Sequence, residues 1–341
     1  MDWNDFVGHE RQREWFRTAI RKNRLASTFL LIGPPQVGKR TFARLVAKSL
    51  FCRRRTPGTA EICNRCESCV QVDAGTHPDL LTVEKKPDKS QITIDQLVGT
   101  VENRLRDGLA YELHLKPYYG ERRIAIVDDA DTFGAEQANC MLKTLEEPPA
   151  GSLIFLISQN EHRQLPTIRS RSQAVRFGRL SDVELQTLIL RLGWCTDAAQ
   201  AAMIAARSGG SLATADRVRD PAFDDFLKQY AVLLELNPLP IVKLSVLVES
   251  LLKNAGDDSH AKRELLQLAL QTAADRFRPH LAGGAATGRG RPMHPSIAAQ
   301  LIAQTIEAQS LVDRNVNASS IIESWLAGLA RAIDSAAARS A

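Results

Sequence analysis

The sequence predicts an α/β protein, with a parallel sheet covered by helices in its first half and an all-helical second half. In the first half, short apolar runs alternate with helical stretches, and no hairpin turn joins one run to the next. This alternation is typical of a parallel sheet with helices on both faces. Beyond residue 177, apolar residues recur at helical spacing, as in the stripe Leu244, Leu247, Val248, Leu251 and Leu252.

The composition is that of an ordinary globular protein. Of the 341 residues, 44% are hydrophobic and 24% are charged, which leaves room for two or three domains. The longest apolar runs, such as residues 153–157, are too short to cross a bilayer. The N-terminus carries acids and no signal-peptide segment, so we expect a cytoplasmic protein with no membrane partner. The net charge of +5 permits nucleic-acid contact without requiring it.

The strongest motif lies at the first apolar run. Residues 29–32 predict a buried strand, and a loop bounded by Gly33 and Gly38 leads to Lys39 and a helix over residues 41–50. Strand, glycine loop, lysine and helix form the P-loop arrangement. Its backbone N–H groups and helix N-terminus bind phosphate oxygens.

One part of this arrangement is missing. A P-loop carries Ser or Thr directly after the lysine as a magnesium ligand, but here Arg40 follows Lys39. Thr41 comes one residue late, about 100° further around the helix. We therefore expect its hydroxyl to point away from a metal.

A pair of acids follows the apolar run at residues 122–127, which predicts another strand. Asp128 and Asp129 end this run in the Walker B arrangement, where the first acid holds magnesium and a second, usually Glu, orients the attacking water. Because Asp129 is one methylene shorter than Glu, we expect it to lie too far from that water.

Four of the six cysteines crowd into one short segment. They are Cys52, Cys63, Cys66 and Cys69. In a reducing compartment this crowding indicates a metal rather than disulfides, and two interlocked C-x-x-C steps with a fourth thiolate fit tetrahedral zinc. Four cysteines leave no open position, so the zinc would be structural. The alternatives are four buried cysteines or a redox pair.

The remaining elements of the first half are predicted from periodicity. A strand is expected within residues 77–83 and an amphipathic helix over residues 92–106. A helix over residues 138–145 is stopped by residues 146–149, and residues 153–157 form a fourth strand.

These elements suggest three domains. Residues 1–177 would form the P-loop domain with its cysteine insert at 52–69, residues 178–235 a small helical lid, and residues 236–341 a helical oligomerisation domain. The glycine- and arginine-rich segment 283–295 is expected to be a flexible, solvated loop rather than a DNA contact.

Several motifs together resemble the clamp-loader branch of the AAA+ proteins, and within it the delta-prime subunits of bacterial DNA polymerase III. Residues 139–149, NCMLKTLEEPP, are similar to the signature helix and turn of that family. Ser170-Arg171-Ser172 matches its Ser-Arg-Cys motif except in the last residue. The cysteine insert lies where bacterial members carry a zinc module.

Further stretches favour the same family. Residues 77–79 and 94–96 resemble the delta-prime version more than the motor version. Residues 315–317, before the last helix, resemble the family's collar domain. The resemblance implies an AAA+ P-loop sheet with a zinc module, a helical lid and an all-α collar.

The resemblance also implies roles for matching positions. Lys39 would sit at the phosphates, Asp128 at the metal and Asn160 at the sensor-one place. Arg171, preceded by Ser170, would be an arginine finger directed at ATP in a neighbouring motor subunit, where a guanidinium stabilises phosphoryl charge. The alternative for Arg171 is a surface ion pair.

Three positions depart from the hydrolytic members of the family. Arg40 replaces the magnesium ligand, Asp129 replaces the Walker B Glu, and Ala213 stands at the sensor-two arginine. Arg171 is kept. This pattern suits a subunit that completes a neighbour's site without hydrolysing ATP. ATP with magnesium is therefore not expected as its cofactor, although the glycine loop and Lys39 can hold phosphate without metal.

The implied partners are the motor (tau/gamma) subunits and the delta subunit, in a pentamer that opens a sliding clamp and sets it on primed DNA. The alternative function is the ATP-hydrolysing motor subunit of the same loader. A third, a zinc-dependent nucleic-acid binder outside replication, would leave the signature helix and Arg171 unexplained.

Overall fold

The computed structural model describes residues 1–86, 89, 91–103, 106–159, 161, 164–236, 240–253, 259–282, 293–313 and 316–340. The chain forms two compact units, Met1–Ala205 with Gly210–Ala213, and Ala206–Gly209 with Thr214–Ala341. The three-domain division with boundaries at 177 and 235 stays a prediction.

A parallel five-stranded sheet organises the first unit, in the order β2-β3-β4-β1-β5. The strands are β1 (Thr28–Ile32), β2 (Leu80–Val83), β3 (Arg123–Val127), β4 (Ser152–Ser158) and β5 (Gln173–Arg176). β1, β3 and β4 are buried along their whole length. Burial on both faces explains why their sequences are continuous apolar runs rather than alternating ones.

Nine helices are described before, between and after these strands. They are α1 (Glu10–Arg21), α2 (Lys39–Phe51), α3 (Glu67–Ala74), α4 (Ile94–Val98), α5 (Gly108–His114), α6 (Ala135–Glu146), α7 (Pro166–Arg169), α8 (Asp182–Arg191) and α9 (Ala198–Arg207).

The two faces of the sheet feed two separate cores. Phe29 of β1 packs on an aromatic cluster, where Phe16 of α1 lies 4.8 Å from the Phe29 ring and 5.1 Å from the Phe42 ring of α2. Leu30, the next residue, packs on an aliphatic cluster on the opposite face, with Leu97 and Met141 from α4 and α6. The P-loop helix α2 is thus fixed by the aromatic side of the sheet.

The second unit is helical. It contains α10 (Leu212–Val218), α11 (Pro221–Leu234), α12 (Ile241–Lys253), α13 (Ser259–Phe277), α14 (Pro295–Asp313) and α15 (Ala318–Ser340), with a 3₁₀ turn at Arg278–Ala282. Leu244, Val248, Leu251 and Leu252 of the predicted apolar stripe are buried in its core. The Trp325 indole N–H donates to the buried Thr305 hydroxyl at 3.0 Å. Every helix in the described part of the chain is too short or too polar to span a membrane.

The predicted α/β fold class is confirmed by the parallel sheet, the glycine loop and helix after β1, and the helical second half. Most of the predicted glycine-rich loop, 283–295, lies outside the described residues, as does Asn315 of the collar-like stretch.

The predicted helix over residues 92–106 is wrong. α4 ends at Val98 because Gly99 has a φ of +84°, and a Cβ there would lie 2.7 Å from the Asn103 carbonyl oxygen. The next helix starts only at Gly108. Periodicity alone cannot reveal a turn that depends on a left-handed glycine.

A fifth strand, β5, was not among the predicted strands. Its sequence, Gln173-Ala174-Val175-Arg176, is mostly exposed at the edge of the sheet. An edge strand that is mostly exposed lacks the apolar run from which a buried strand is predicted.

Asp79 fixes the start of β2 to the loop before β3. Its fully buried carboxylate accepts hydrogen bonds from the Tyr118 N–H at 2.6 Å and the Tyr119 N–H at 2.8 Å. The Arg123 Nε lies 3.7 Å from the same carboxylate. A buried charge with these partners holds the loop in place.

Replacing Asp79 with Asn is expected to lower the free energy of unfolding by about 2–4 kcal/mol, because one acceptor oxygen becomes an amide facing N–H donors and the guanidinium loses its counter-charge. Urea unfolding measures this loss. Asp95→Asn, at an exposed carboxylate on α4, is the control and should change stability by less than about 0.5 kcal/mol. Equal losses in both variants would contradict the anchoring role.

Candidate nucleotide and metal sites

The P-loop is shaped by two glycines. A Cβ at Gly33 would lie 2.3 Å from the Phe177 carbonyl oxygen, so only glycine fits there. Gly38 has a φ of +94° and begins α2. The Phe177 N–H donates to the Ile32 carbonyl at 2.7 Å. The segment after β5 therefore closes tightly against the loop.

Lys39 turns back onto its own loop. Its ammonium donates to the carbonyl oxygens of Gly33 and Pro34, each at 2.6 Å, and the residue is only 6% exposed. Burial lowers the pKa of Lys39 to about 8, and the nearby Asp128 carboxylate opposes this shift. At neutral pH the lysine is therefore still charged, and it stabilises the loop directly.

Arg40 lies among acids at the carboxyl edge of the sheet. Its Nη1 is 2.5 Å from Glu84 Oε2 and 3.5 Å from Asp128 Oδ2. Glu84 directly follows β2 and Asp128 directly follows β3, and these two strands are neighbours. In open α/β sheets this edge is where ligands bind. The guanidinium thus places a fixed positive charge between two carboxylates.

Asp129 has an unusual backbone. Its φ of +51° puts it in the left-handed region, which Asp tolerates better than most residues, and it precedes the 3₁₀ turn Ala130–Thr132. Burial raises the pKa of Asp129, and the Asp128 and Asp131 carboxylates raise it further. Lys85 opposes this shift without cancelling it.

Two further site residues were predicted from the sequence, Asn160 and Thr41. Asn160, predicted at the sensor-one place, lies outside the described residues. Thr41 follows Arg40 on α2 and is partly buried. That its hydroxyl points away from a metal stays a prediction.

Arg171 lies just after α7. One amino group is 2.5 Å from Glu146 Oε1, at the end of α6. Another donates to the Thr167 carbonyl at 3.0 Å and to the Ser170 hydroxyl at 3.1 Å. Its side chain is 32% exposed. The predicted finger and its neighbour Ser170 are therefore in contact, and the alternative, a surface ion pair, is also present.

The four clustered cysteines can hold one metal ion. Their Sγ atoms all lie within 4.8 Å of one another, and Cys63 and Cys69 are 3.9 Å apart. A tetrahedral zinc with bonds of about 2.3 Å would separate its sulfurs by about 3.8 Å. All four are free thiols rather than disulfides, so the donor set fits zinc.

Backbone N–H groups favour the thiolate form of one ligand. Asn64, with a φ of +56°, bends the chain so that the Cys66 N–H donates to Cys63 Sγ at 3.3 Å. Burial raises the pKa of Cys63, but the N–H groups of Arg65 and Cys66 outweigh it and lower the pKa to about 6. Metal ligation requires this deprotonated form.

Lys48 is a connecting residue that sequence analysis missed. It is buried on α2, and its ammonium donates to the Met1 carbonyl at 2.8 Å, to Asn64 Oδ1 at 2.7 Å and to Asp73 Oδ2 at 2.5 Å. The cysteine insert is thus bonded to the P-loop helix. The available signal was a lysine within the apolar stretch of α2, Leu45-Val46-Ala47.

Comparison with known families identifies the chain. A family described as "DNA polymerase III, delta subunit" matches residues 8–181, slightly more than half of the chain. The chain belongs to this family. The matched segment includes the P-loop, the four clustered cysteines and Arg171.

Individual relatives carry two subunit names. The chain is 35% identical over 146 residues to DNA polymerase III subunit delta' of Pseudomonas aeruginosa, covering 43% of this chain and 41% of that protein. It is 36% identical over 172 residues to subunit delta' of Bacillus subtilis, covering 50% and 48%. Subunit tau of B. subtilis is 26% identical over 276 residues, covering 78% and 46%. The aligned part spans less than half the length of each of these relatives.

Replacing Cys66 with Ser is expected to reduce bound zinc from about one ion per chain to nearly none, because a four-thiolate site loses a ligand. The melting temperature should fall as well, since metal-binding free energy is part of folding free energy. Metal analysis of the purified chain measures the zinc. Cys195→Ser, outside the cluster, is the control and should keep it. A wild-type chain without zinc would contradict the site.

Burial of Lys39 predicts a pH dependence. Because its pKa falls from 10.5 to about 8 on folding, the unfolded chain binds more protons than the folded chain between these values. The stability of the wild type relative to Lys39→Met should therefore rise as pH increases through this window, by up to about 3 kcal/mol. Chemical unfolding at pH 7.5, 9 and 10.5 measures it. A difference that stays flat or falls would contradict the lowered pKa.

Proposed function

We propose that this chain is a clamp-loader subunit of the delta-prime type, which supplies Arg171 to the ATP site of a neighbouring motor subunit and does not hydrolyse ATP itself. The observation that carries the proposal is the Arg40 guanidinium beside Glu84 and Asp128. Membership of the DNA polymerase III delta-subunit family and two relatives named delta' support it.

The chain's own pocket lacks the parts that phosphoryl transfer needs. Such transfer depends on a metal that bridges the phosphates and on a positioned water. Here the Asp128 carboxylate faces a guanidinium 3.5 Å away. Asp129 is short and its pKa is raised by burial and by neighbouring acids. Ala213 supplies no guanidinium to the phosphates.

Arg171 can leave its present partner at little cost. Its ion pair with Glu146 is partly exposed on both sides, and exposed pairs contribute about 0–1 kcal/mol. An arginine finger accelerates phosphoryl transfer by about 10³- to 10⁵-fold, or about 4–7 kcal/mol. Because this stabilisation of the transition state exceeds the energy of the exposed pair, moving Arg171 to a neighbour's phosphates would give a net gain in rate. The move would also break the guanidinium's bonds to Thr167 and Ser170.

The partners follow from this assignment. The chain would assemble with tau/gamma motor subunits and a delta subunit, and the assembly would load a sliding clamp on primed DNA. The bond from Lys48 to Asn64 of the cysteine insert supports a structural role for zinc, which would stiffen the insert against α2 and leave no open position for catalysis.

A second candidate is the ATP-hydrolysing motor subunit of the same loader. The tau subunit of B. subtilis aligns with 78% of this chain, more than the delta' relatives do. Arg40 argues against it, because a motor needs the metal ligand that Arg40 replaces.

Replacing Arg171 with Ala is expected to lower the rate of ATP hydrolysis by the reconstituted loader. The rate should fall by the contribution of the one motor site that this chain completes, because losing an arginine finger slows that site by about 10³-fold or more. The steady-state rate with clamp and primed DNA measures this, and size-exclusion chromatography checks that the complex still forms. Arg169→Ala is the control, because Arg169 is an exposed arginine two residues away that pairs with Glu161.

Arg169→Ala should leave the rate unchanged. An intact complex whose rate is the same with Arg171→Ala as with the wild-type chain would refute the finger.

A further inference from the structure

We propose that Arg40 determines the metal dependence of this pocket: its guanidinium occupies the place of a divalent cation, and removing it uncovers a magnesium site that binds nucleoside polyphosphate. The inference rests on the proposed function, in which this pocket does not hydrolyse ATP, and it names the residue that blocks the metal. It requires that Asp128 and Glu84 are held ready for a cation.

The backbones of both acidic residues are held by contacts that do not involve Arg40. The Asp128 N–H donates to the Val83 carbonyl at 2.8 Å, which joins the ends of β2 and β3. Glu84 is held through its own carbonyl, which accepts from Gln96 Nε2 at 2.9 Å. Removing the Arg40 side chain therefore leaves the backbones of both residues, and the Asp128 Oδ1 bond to the Asp129 N–H, in place.

Each oxygen of Asp128 has a separate neighbour. Oδ1 accepts the Asp129 N–H at 3.1 Å, and Oδ2 lies 3.5 Å from the Arg40 guanidinium. A metal at Oδ2 would have to displace Arg40. Since Arg40 also pairs with Glu84 at 2.5 Å, displacement breaks two charge pairs at once.

The charge balance around Arg40 favours a cation at its position. Asp128, Asp129 and Asp131 all act on Lys39, and Glu84 adds a further negative charge. Arg40 supplies one delocalised positive charge that cannot be lost by deprotonation in the physiological range. Without it, Lys39 and Lys85 would be left to offset this group of carboxylates, and a divalent ion would restore the balance.

A phosphate group can still reach the loop. Lys39 bonds only to two loop carbonyls, in the part of the chain described here, and a phosphate can replace them as its partner. In the wild type the phosphate would meet Lys39 and Arg40. In a variant without Arg40 it would meet Lys39 and a magnesium ion shared with Asp128. The two chains therefore differ in what magnesium contributes to binding.

The test is calorimetric titration of the full chain with ADP, with and without added magnesium. A chelator is avoided because it would also strip metal from the cysteines. For the wild type, magnesium should change the affinity for ADP by less than twofold. A wild type that binds no ADP with or without magnesium also agrees with the inference. For Arg40→Ser, which restores the hydroxyl ligand, magnesium should raise the affinity at least tenfold.

Two further variants separate charge from shape. Arg40→Lys keeps a cation and should behave as the wild type. The double variant Arg40→Ser with Asp128→Asn should lose the magnesium effect. Should Arg40→Ser fail to fold, as judged by circular dichroism, Arg40→Gln takes its place. Removing the charge alone should then create binding of Mn²⁺, detected by electron paramagnetic resonance in the absence of nucleotide.

A tenfold magnesium effect in the wild type, or a folded Arg40→Ser or Arg40→Gln without any metal effect, would overturn the inference. Neither readout involves the loader or Arg171. The inference can therefore fail while the arginine finger stands, and the reverse also holds.

Discussion

The chemistry that we propose for this protein depends on the positive charge that Arg40 of α2 brings to the carboxyl edge of the sheet. Parallel strands bring Glu84 and Asp128 to one edge, and the first turn of α2 faces them. In a metal-using P-loop protein the same edge gathers acids around a divalent ion. Here an arginine covalently fixed on α2 lies beside them. We propose that the fold is kept while the chemistry at this edge differs.

This substitution explains why a P-loop persists in a chain that we propose does not hydrolyse ATP. Gly33 is required by the close approach of the Phe177 carbonyl, and Lys39 bonds the loop to itself through the Gly33 and Pro34 carbonyls. Both residues therefore contribute to the packing of the loop itself. The loop is thus under a structural constraint that does not depend on catalysis, and Lys48 bonds the cysteine insert to the same helix.

The sequence was informative where local chemistry decides structure. The apolar runs of β1, β3 and β4 and the spacing of the cysteines are local, and the structure has strands and a thiol cluster there. Long-range contacts could not be predicted. Glu84 is 44 residues from Arg40 along the chain, and nothing in the sequence pairs them. The break at Gly99 and the polar edge strand β5 were missed because backbone conformation and sheet position leave no apolar pattern.

The central claim is that this chain's own pocket cannot hydrolyse ATP and that the chain acts through a neighbour. ATP hydrolysis by the isolated full-length chain in magnesium tests this most directly, with Lys39→Ala as the check on contaminating enzymes. The account predicts no turnover above the level of Lys39→Ala. Steady turnover that disappears in Lys39→Ala would contradict it, because the pocket beside Arg40 would then be a working ATPase.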